Sequence, residues 1–143
     1  MSTHRFCTFH VAGLLLGVDV DLVQEVMGDE PMTPVPLANP CVCGLLNLRG
    51  QIVTAIDARQ RLGLRPRAAD DRGTHIVIRT AHESVSLVVD IEGEVVDLFD
   101  TDIESLPENV SETIRDFVTG ACKVEDSLLL MLDAERMLTL GLD

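Results

Sequence analysis

Short apolar segments, most of them about five residues long, alternate with turn residues along the whole chain. Segments of this length favour strands, because they are too short for typical helices and are bounded by Gly, Pro or acidic residues. The predicted strands are 6–11, 14–18, 45–48, 52–56, 75–79, 85–89, 94–98, 118–124 and 128–132. Tight-turn sequences separate three pairs of them, at 12–13, 49–51 and 125–126. The pattern therefore predicts a mainly β protein, a barrel or a sandwich, and not alternating α and β elements.

A short helix is predicted after the second strand. Asp19 or Asp21 can cap it, because a carboxylate accepts the free amides of a first helical turn. The apolar residues of 22–26 then fall on one side, and Gly28 suits the left-handed position that ends a helix. Four prolines between residues 31 and 40 fix φ and remove amide donors, so an extended connector is expected there.

Two further helices are predicted to begin at an aspartate that follows a strand. Asp57 starts a single turn that ends at Gly63, and Asp133 caps a closing helix. The core-facing residues of that closing helix are predicted to be Ala134, Met137, Leu138 and Leu142. Another short helix is expected at the start of the acidic segment 100–115, and loop 64–73 is expected to be the least ordered. The second half repeats the style of the first, but no strong tandem repeat or linker is visible, so residues 1–143 are predicted to form one domain.

Charge narrows the range of partners. The 143 residues include 24 acids and 11 bases, a formal net charge of −13. This charge repels phosphate backbones and anionic lipid, which argues against nucleic acid and membrane surfaces as partners. No apolar run approaches the roughly 20 residues that a membrane span needs, and the first residues do not resemble a secretory signal. A soluble, cytoplasmic protein without membrane insertion is expected.

The sequence indicates no catalytic or metal site. Cys41 and Cys43 are the only closely spaced pair of candidate ligands, whereas zinc sites usually combine two such clusters. Half-buried thiols are the simpler interpretation, and a thiol or metal sensor built on this pair remains an alternative. His10 and His75 are expected to be half-exposed strand residues rather than general bases. Because phosphate loops and nucleophile motifs are also absent, we predict no catalytic residue, no metal and no cofactor.

One segment carries a more specific signal. The sequence GLLNLRGQIV (44–53), continued by IDAR (56–59), resembles the signature of the CheW-like chemotaxis coupling family. Similar stretches occur in matching order from about residue 6 to 138. They are LGVDV (16–20) with VQEV (23–26), the prolines at 34, 36 and 40, VVD (88–90) with VV (95–96), and LLLMLD (128–133). The chain departs from the family pattern at Ala55, Ala58 and Glu92, where Pro, Leu and an apolar residue are usual.

The resemblance implies a fold and a function. The fold would be one CheW-like domain of two adjacent five-stranded SH3-like β-barrels, with a groove between them, a few short helices and a C-terminal helix. The function would be that of a non-enzymatic adaptor, which couples the cytoplasmic tip of methyl-accepting chemoreceptors to the histidine kinase CheA. Such a protein is cytoplasmic and is recruited to membrane-associated receptor arrays. A scaffold for a non-flagellar chemosensory array is an alternative.

The resemblance also implies site residues. Val23, Gly44 and Arg49 match family positions linked to receptor contact, and Glu25 matches a position near the kinase-facing or ring-forming surface. Each residue also has a structural interpretation. Arg49 could form an internal salt bridge instead of binding a receptor carboxylate, Val23 could belong to the core, Gly44 could form a bulge, and Glu25 could be an exposed helix charge. Asn47 is expected to bond the backbone of its own turn.

Overall fold

The computed structural model describes residues 3–68 and 73–140. Its strands are β1 (Thr3–Val11), β2 (Leu14–Asp19), β3 (Val23–Met27), β4 (Val42–Leu48), β5 (Gln51–Asp57), β6 (Thr74–Arg79), β7 (Ser84–Val89), β8 (Ile91–Phe99), β9 (Ile103–Glu104), β10 (Val118–Val124) and β11 (Ser127–Leu132). Its helices are α1 (Ala58–Arg61), α2 (Glu112–Arg115) and α3 (Ala134–Leu138), with 3₁₀ turns at Val20–Leu22 and Asp100–Asp102. None of the described helices has the length and apolar character needed to cross a bilayer.

The strands form two sheets. Sheet A has the order β8-β1-β2-β11-β10-β9, and sheet B has the order β3-β6-β7-β5-β4. Neighbouring strands are antiparallel, except that β11 runs parallel to β2 and β5 runs parallel to β7. The mainly β class and the two adjacent β units are thus confirmed. Over the described residues, the units are open sheets rather than closed barrels, and sheet A gains a sixth strand of two residues, β9.

Among the described residues, the buried apolar side chains form three clusters. The largest lies between the sheets and joins residues such as Phe9 and Leu16 of sheet A to Ile76 and Leu87 of sheet B. A second cluster belongs to sheet A and a third to sheet B. Sheet B is covered on both faces along β7, where Leu87 enters the shared cluster and Val88 enters the third one. Burial of each large side chain contributes about 1.5–3 kcal/mol, so the shared cluster is a major source of stability.

The two halves of the chain repeat one element order and exchange strands between the sheets. The first half places the β1–β2 hairpin in sheet A, and then β3, β4 and β5 in sheet B, followed by α1. The second half places the β6–β7 hairpin in sheet B, and then β8 to β11 in sheet A, followed by α3. Each sheet therefore contains strands from both halves, and neither half contains a complete sheet.

The β4–β5 hairpin and α1 correspond residue by residue to the β10–β11 hairpin and α3, at an offset of 76 positions. Strands β4 and β10 each carry a bulge at the same place. Asp57, the last residue of β5, and Asp133, directly after β11, each cap the helix that comes next. The expectation of no strong tandem repeat misses this relation, because only the cap segments DARQRL (57–62) and DAERML (133–138) preserve it clearly in the sequence.

The helix predicted after the second strand is wrong. Residues 20–22 form a single 3₁₀ turn, with the Asp19 carboxylate accepting from the Asp21 amide, and residues 23–27 form strand β3. The apolar spacing that suggested a helix is overridden by pairing of Val23 and Val26 with the buried strand β6. β-Branched residues favour this outcome, because they pack well on a pleated sheet.

The structure also tests the other helix predictions. The helices capped by Asp57 and Asp133 are confirmed, and the short helix expected at the start of the acidic segment is a three-residue 3₁₀ turn. Helix α2, capped by Ser111, was not predicted. Leu142 and positions 69–72 of the loop predicted to be least ordered lie outside the described residues.

His75 is fully buried, which corrects the half-exposed position expected for it. Its Nδ1 lies 2.9 Å from Ser86 Oγ, and its Nε2 has no hydrogen-bond partner within the described part of the chain. Burial lowers the pKa of His75 below its ordinary value of 6.5, although the nearby acids Asp29 and Glu30 oppose that shift. The imidazole therefore stays neutral in the folded protein at a pH where it is protonated in the unfolded chain.

We predict that the free energy of unfolding decreases as the pH falls below about 6.5. The unfolded chain then binds a proton that the folded protein excludes, which lowers stability by at most about 1.4 kcal/mol per pH unit. Urea denaturation at pH 7.5, 6.5 and 5.5 measures the effect. His75→Gln should be less stable at pH 7.5 but lose less stability between pH 7.5 and 5.5. Equal pH dependence of the two proteins would contradict the prediction.

Candidate partner-binding surface

The end of the β4–β5 hairpin is a tight turn built from Arg49 and Gly50. Both residues have positive φ, 51° and 85°, the combination that two-residue hairpin turns of the favoured twist require. The Asn47 side-chain oxygen accepts from the Gly50 amide at 3.0 Å, so the expected local role of Asn47 is confirmed. Glycine adopts this conformation without strain, whereas arginine does so at some cost. The turn projects the Arg49 side chain from the end of the hairpin.

Arg49 is paired with Glu25 of β3. Its Nη2 donates to Glu25 Oε1 at 2.9 Å, yet its side chain remains 72% exposed. The Glu25 side chain is 25% exposed, and its Oε2 is buried with no hydrogen-bond partner in the described ranges. Glu25 is therefore a half-buried strand residue, which corrects the alternative of an exposed helix charge. Because an exposed ion pair contributes only about 0–1 kcal/mol, the pair orients Arg49 more than it stabilises the fold.

The chain segments that carry this ion pair also carry exposed or half-buried apolar side chains. Val23 begins β3 directly after the 3₁₀ turn, is half-buried, and packs against the cluster between the sheets. Leu22, just before it, is 38% exposed, and Ile52, on the hairpin near Arg49, is 65% exposed. We call Leu22, Val23, Glu25, Arg49 and Ile52 the hairpin-end surface. Leu22 and Ile52 were missed by the sequence reasoning, because an apolar residue in a predicted strand or helix was assigned to the core.

Gly44 is not part of that surface. It lies at the β4 bulge, is buried, and is covered by the connector that precedes β4. A Cβ at this position would lie 2.8 Å from the Thr33 carbonyl oxygen and 3.0 Å from Met32 Cβ. Thr33 also pairs with Leu45 in an isolated bridge. The geometry therefore favours a role for Gly44 in holding the connector against the hairpin.

Gly44→Ala should reduce the free energy of unfolding by about 1–3 kcal/mol, because the added methyl group displaces the Thr33 backbone. Gly28→Ala is the matched control, since nothing lies within 4 Å of its Cβ position. The control should change stability by less than about 0.5 kcal/mol. Chemical denaturation of both variants measures the difference, and equal stability of the two would contradict this account of Gly44.

The thiols of Cys41 and Cys43 do not face one site. Cys41 packs against the cluster between the sheets, and Cys43 packs against the cluster of sheet B. Burial, with a contribution from Asp57, raises the pKa of Cys43 to about 12, and burial also raises the pKa of Cys41. In the described ranges, no group of three or more His, Cys, Asp or Glu side chains is placed to hold a metal ion. This arrangement gives the sensor alternative no support.

Cys43 should react very slowly with iodoacetamide in the folded protein at pH 8. A pKa of about 12 instead of 9.0 leaves about a thousandfold less thiolate, which is the reactive form. Peptide mass spectrometry after timed labelling should show modification of Cys43 only when urea is added. Labelling of Cys43 in the native protein at the rate of a free thiol would show that the site is open and reactive.

A second group of charged side chains lies at the other end of β5. Asp90 accepts from Arg59 in a two-point contact, Nε to Oδ1 at 2.9 Å and Nη2 to Oδ2 at 2.6 Å. Arg67, whose side chain is 8% exposed, lies 3.3 Å from Asp90 and 3.6 Å from Asp57. Burial alone would raise the pKa of Asp90, but hydrogen bonds from Arg59 and from the Ala12 amide, with the charges of both arginines, lower it. Asp57 and Arg59 come from the IDAR segment and Asp90 comes from the VVD segment, and the sequence does not reveal that these segments pair.

Comparison with known proteins decides the family. A family model for the CheW-like domain matches residues 5–141, which include strands of both sheets. The chain belongs to the CheW-like domain family. This CheW-like domain is 31% identical over 134 residues to chemotaxis protein CheW of Bacillus subtilis (strain 168), covering 94% of this chain and 86% of that protein.

Further relatives agree with this assignment. Chemotaxis protein CheW of Rhizobium meliloti (strain 1021) is 29% identical over 129 residues, which cover 90% of this CheW-like domain and 83% of the relative. The crystal structure of the scaffolding protein TtCheW from Thermoanaerobacter tengcongensis matches the fold with a TM-score of 0.86 and 26% identity. That match covers 98% of this chain and 95% of the other.

Proposed function

We propose that this CheW-like domain is a non-enzymatic adaptor that couples methyl-accepting chemoreceptors to the histidine kinase CheA. The proposal follows from the family and from relatives named chemotaxis proteins and a scaffolding protein. The observation that carries it is the hairpin-end surface, where an exposed Arg49 pairs with Glu25 and the same chain segments carry the exposed apolar residues Leu22 and Ile52. In this proposal, it serves as a recognition surface for a partner. The protein would act in the cytoplasm at membrane-associated receptor arrays.

The receptor tip is proposed to contact Arg49 and Val23. The guanidinium group keeps exposed donors after pairing with Glu25, and these suit a receptor carboxylate or the carbonyls at a helix end. Val23 is half-buried, so a partner would contact only part of its side chain. Gly44 is proposed to act indirectly, by holding the connector against the hairpin that carries Arg49.

The ion pair with Arg49 limits the contact that Glu25 can make with the kinase. A carboxylate with one oxygen on Arg49 and the other buried has little capacity left for a partner. The proposed role of Glu25 is therefore to orient Arg49. Any effect of Glu25 on contacts with the kinase or within a ring should be indirect, through the position of the Arg49 side chain. Which array the protein serves, flagellar or other, would follow from the receptors that it binds.

A charge swap separates partner contact from internal pairing. Arg49→Glu should weaken binding to a receptor-tip fragment at least tenfold, which corresponds to about 1.4 kcal/mol, with little change in Tm. Glu25→Arg combined with Arg49→Glu restores an ion pair of opposite polarity but leaves no cation at residue 49. The double variant should therefore bind the receptor fragment as weakly as Arg49→Glu alone. Calorimetric titration and thermal melting provide the measurements.

Arg136→Glu is the matched control, because Arg136 is an exposed arginine whose side chain donates to the Asp116 carbonyl at 2.9 Å. It should leave receptor binding unchanged. Recovery of binding in the double swap would assign Arg49 an internal role only, and normal binding by Arg49→Glu would refute the receptor site. The same titrations with a kinase fragment test Glu25: a loss confined to kinase binding in Glu25→Gln would favour direct contact.

A further inference from the structure

The two sheets are joined by polar contacts as well as by their shared apolar cluster. Asp90 stands between β7 of sheet B and β8 of sheet A, where the chain crosses from one sheet to the other. Its Oδ2 accepts from the Ala12 amide in the β1–β2 turn of sheet A at 2.7 Å. Its carboxylate also takes the two-point contact from Arg59 on α1, which follows β5 of sheet B. Asp90 thus ties a turn of one sheet to the helix that follows the other.

The duplicated half carries a simpler version of the same contact. Glu135 on α3 occupies the position 76 residues after Arg59. Its Oε1 accepts from the Ala81 amide in the turn between β6 and β7 at 2.6 Å. Again, a hairpin turn of one sheet is tied to the helix that follows the other sheet. Both amide–carboxylate contacts are exposed, but Asp90 is also held by the part-buried pairing with Arg59, whereas the second contact rests on one carboxylate.

We propose that Arg59 and Asp90 are positioning residues that hold sheet A and sheet B in one orientation, so that the adaptor presents both partners with a fixed geometry. This role rests on the proposed function. The apolar cluster between the sheets is non-directional and tolerates small rotations, whereas a two-point guanidinium–carboxylate contact fixes angle and distance. The hairpin-end surface is sensitive to that angle, because Val23 follows the 3₁₀ turn between the sheets and packs on their shared cluster.

Arg67 strengthens this assignment. Its nearly buried guanidinium lies between Asp90 and Asp57, the residue that caps α1, and therefore links the contact to the helix start. Asp90→Asn removes the charge that both arginines face, and it leaves the Ala12 amide with a single neutral oxygen, which accepts more weakly than a carboxylate. Arg59→Lys keeps a charge but cannot make the two-point contact. Both variants weaken the contact between Arg59 and Asp90, and neither removes a side chain from the apolar cluster between the sheets.

The test compares Asp90→Asn and Arg59→Lys with Glu135→Gln, the matched change in the duplicated half. For each full-length variant we would measure affinity for a receptor-tip fragment and for a CheA fragment separately. We would then measure kinase activity with receptor, kinase and adaptor together. Amide hydrogen exchange at Ala12 and Ala81 reports the two contacts without any partner.

Asp90→Asn should keep both separate affinities within about threefold, reduce receptor-dependent kinase activity at least fivefold, and speed exchange at Ala12 at least tenfold. Arg59→Lys should show smaller changes in the same directions, and it replaces Asp90→Asn if that variant does not fold. Glu135→Gln should speed exchange only at Ala81 and keep kinase activity within twofold.

Two results would overturn the positioning role. One is full kinase activity in Asp90→Asn despite faster exchange at Ala12, and the other is loss of both separate affinities in proportion to the unfolded fraction. Unchanged exchange at Ala12 would refute the contact itself. Failure of the unmodified protein to bind either fragment would instead refute the proposed function, and the positioning role with it, whereas the exchange rates would still decide whether the contact exists.

Discussion

The apolar cluster between the sheets is the constraint on which the rest of the structure depends. Each half of the chain gives a hairpin to one sheet and three or more strands to the other, so neither sheet forms until both halves are present. Contacts such as Phe9 and Leu16 with Ile76 and Leu87 then bury the faces that the exchanged strands share. Folding of each sheet and association of the two sheets therefore depend on the same apolar side chains.

The dependence of each sheet on both halves of the chain suits the proposed adaptor, which would act by holding its partners in a fixed arrangement. The hairpin-end surface lies on sheet B, but its first strand follows directly from the 3₁₀ turn that leaves sheet A. Arg49 stays exposed because its turn and its pairing with Glu25 hold it at the edge of the fold without burying it. The polar contact at Asp90 adds direction to an otherwise non-directional interface.

Much of the local structure could be predicted from the sequence. The hairpin turns and the caps Asp57 and Asp133 depend on neighbouring residues, so short motifs were sufficient to find them. Strand β3 was misassigned because its pairing with β6 involves residues about fifty positions away. The burial of His75, the pairing of Arg59 with Asp90 and the contact of Arg49 with Glu25 depend on tertiary structure in the same way. The family resemblance located the hairpin, and the turn position of Arg49 predicts its exposure, but the burial of Gly44 under the connector depends on tertiary structure.

The central claim is that one chain holds receptor and kinase at the same time. Sedimentation of the protein with a receptor-tip fragment, a CheA fragment or both would test it most directly. The account predicts that each fragment forms a binary complex and that the mixture forms a ternary complex in which neither fragment displaces the other. Mutual displacement of the two fragments, or absence of a ternary species at concentrations that saturate both binary complexes, would contradict it.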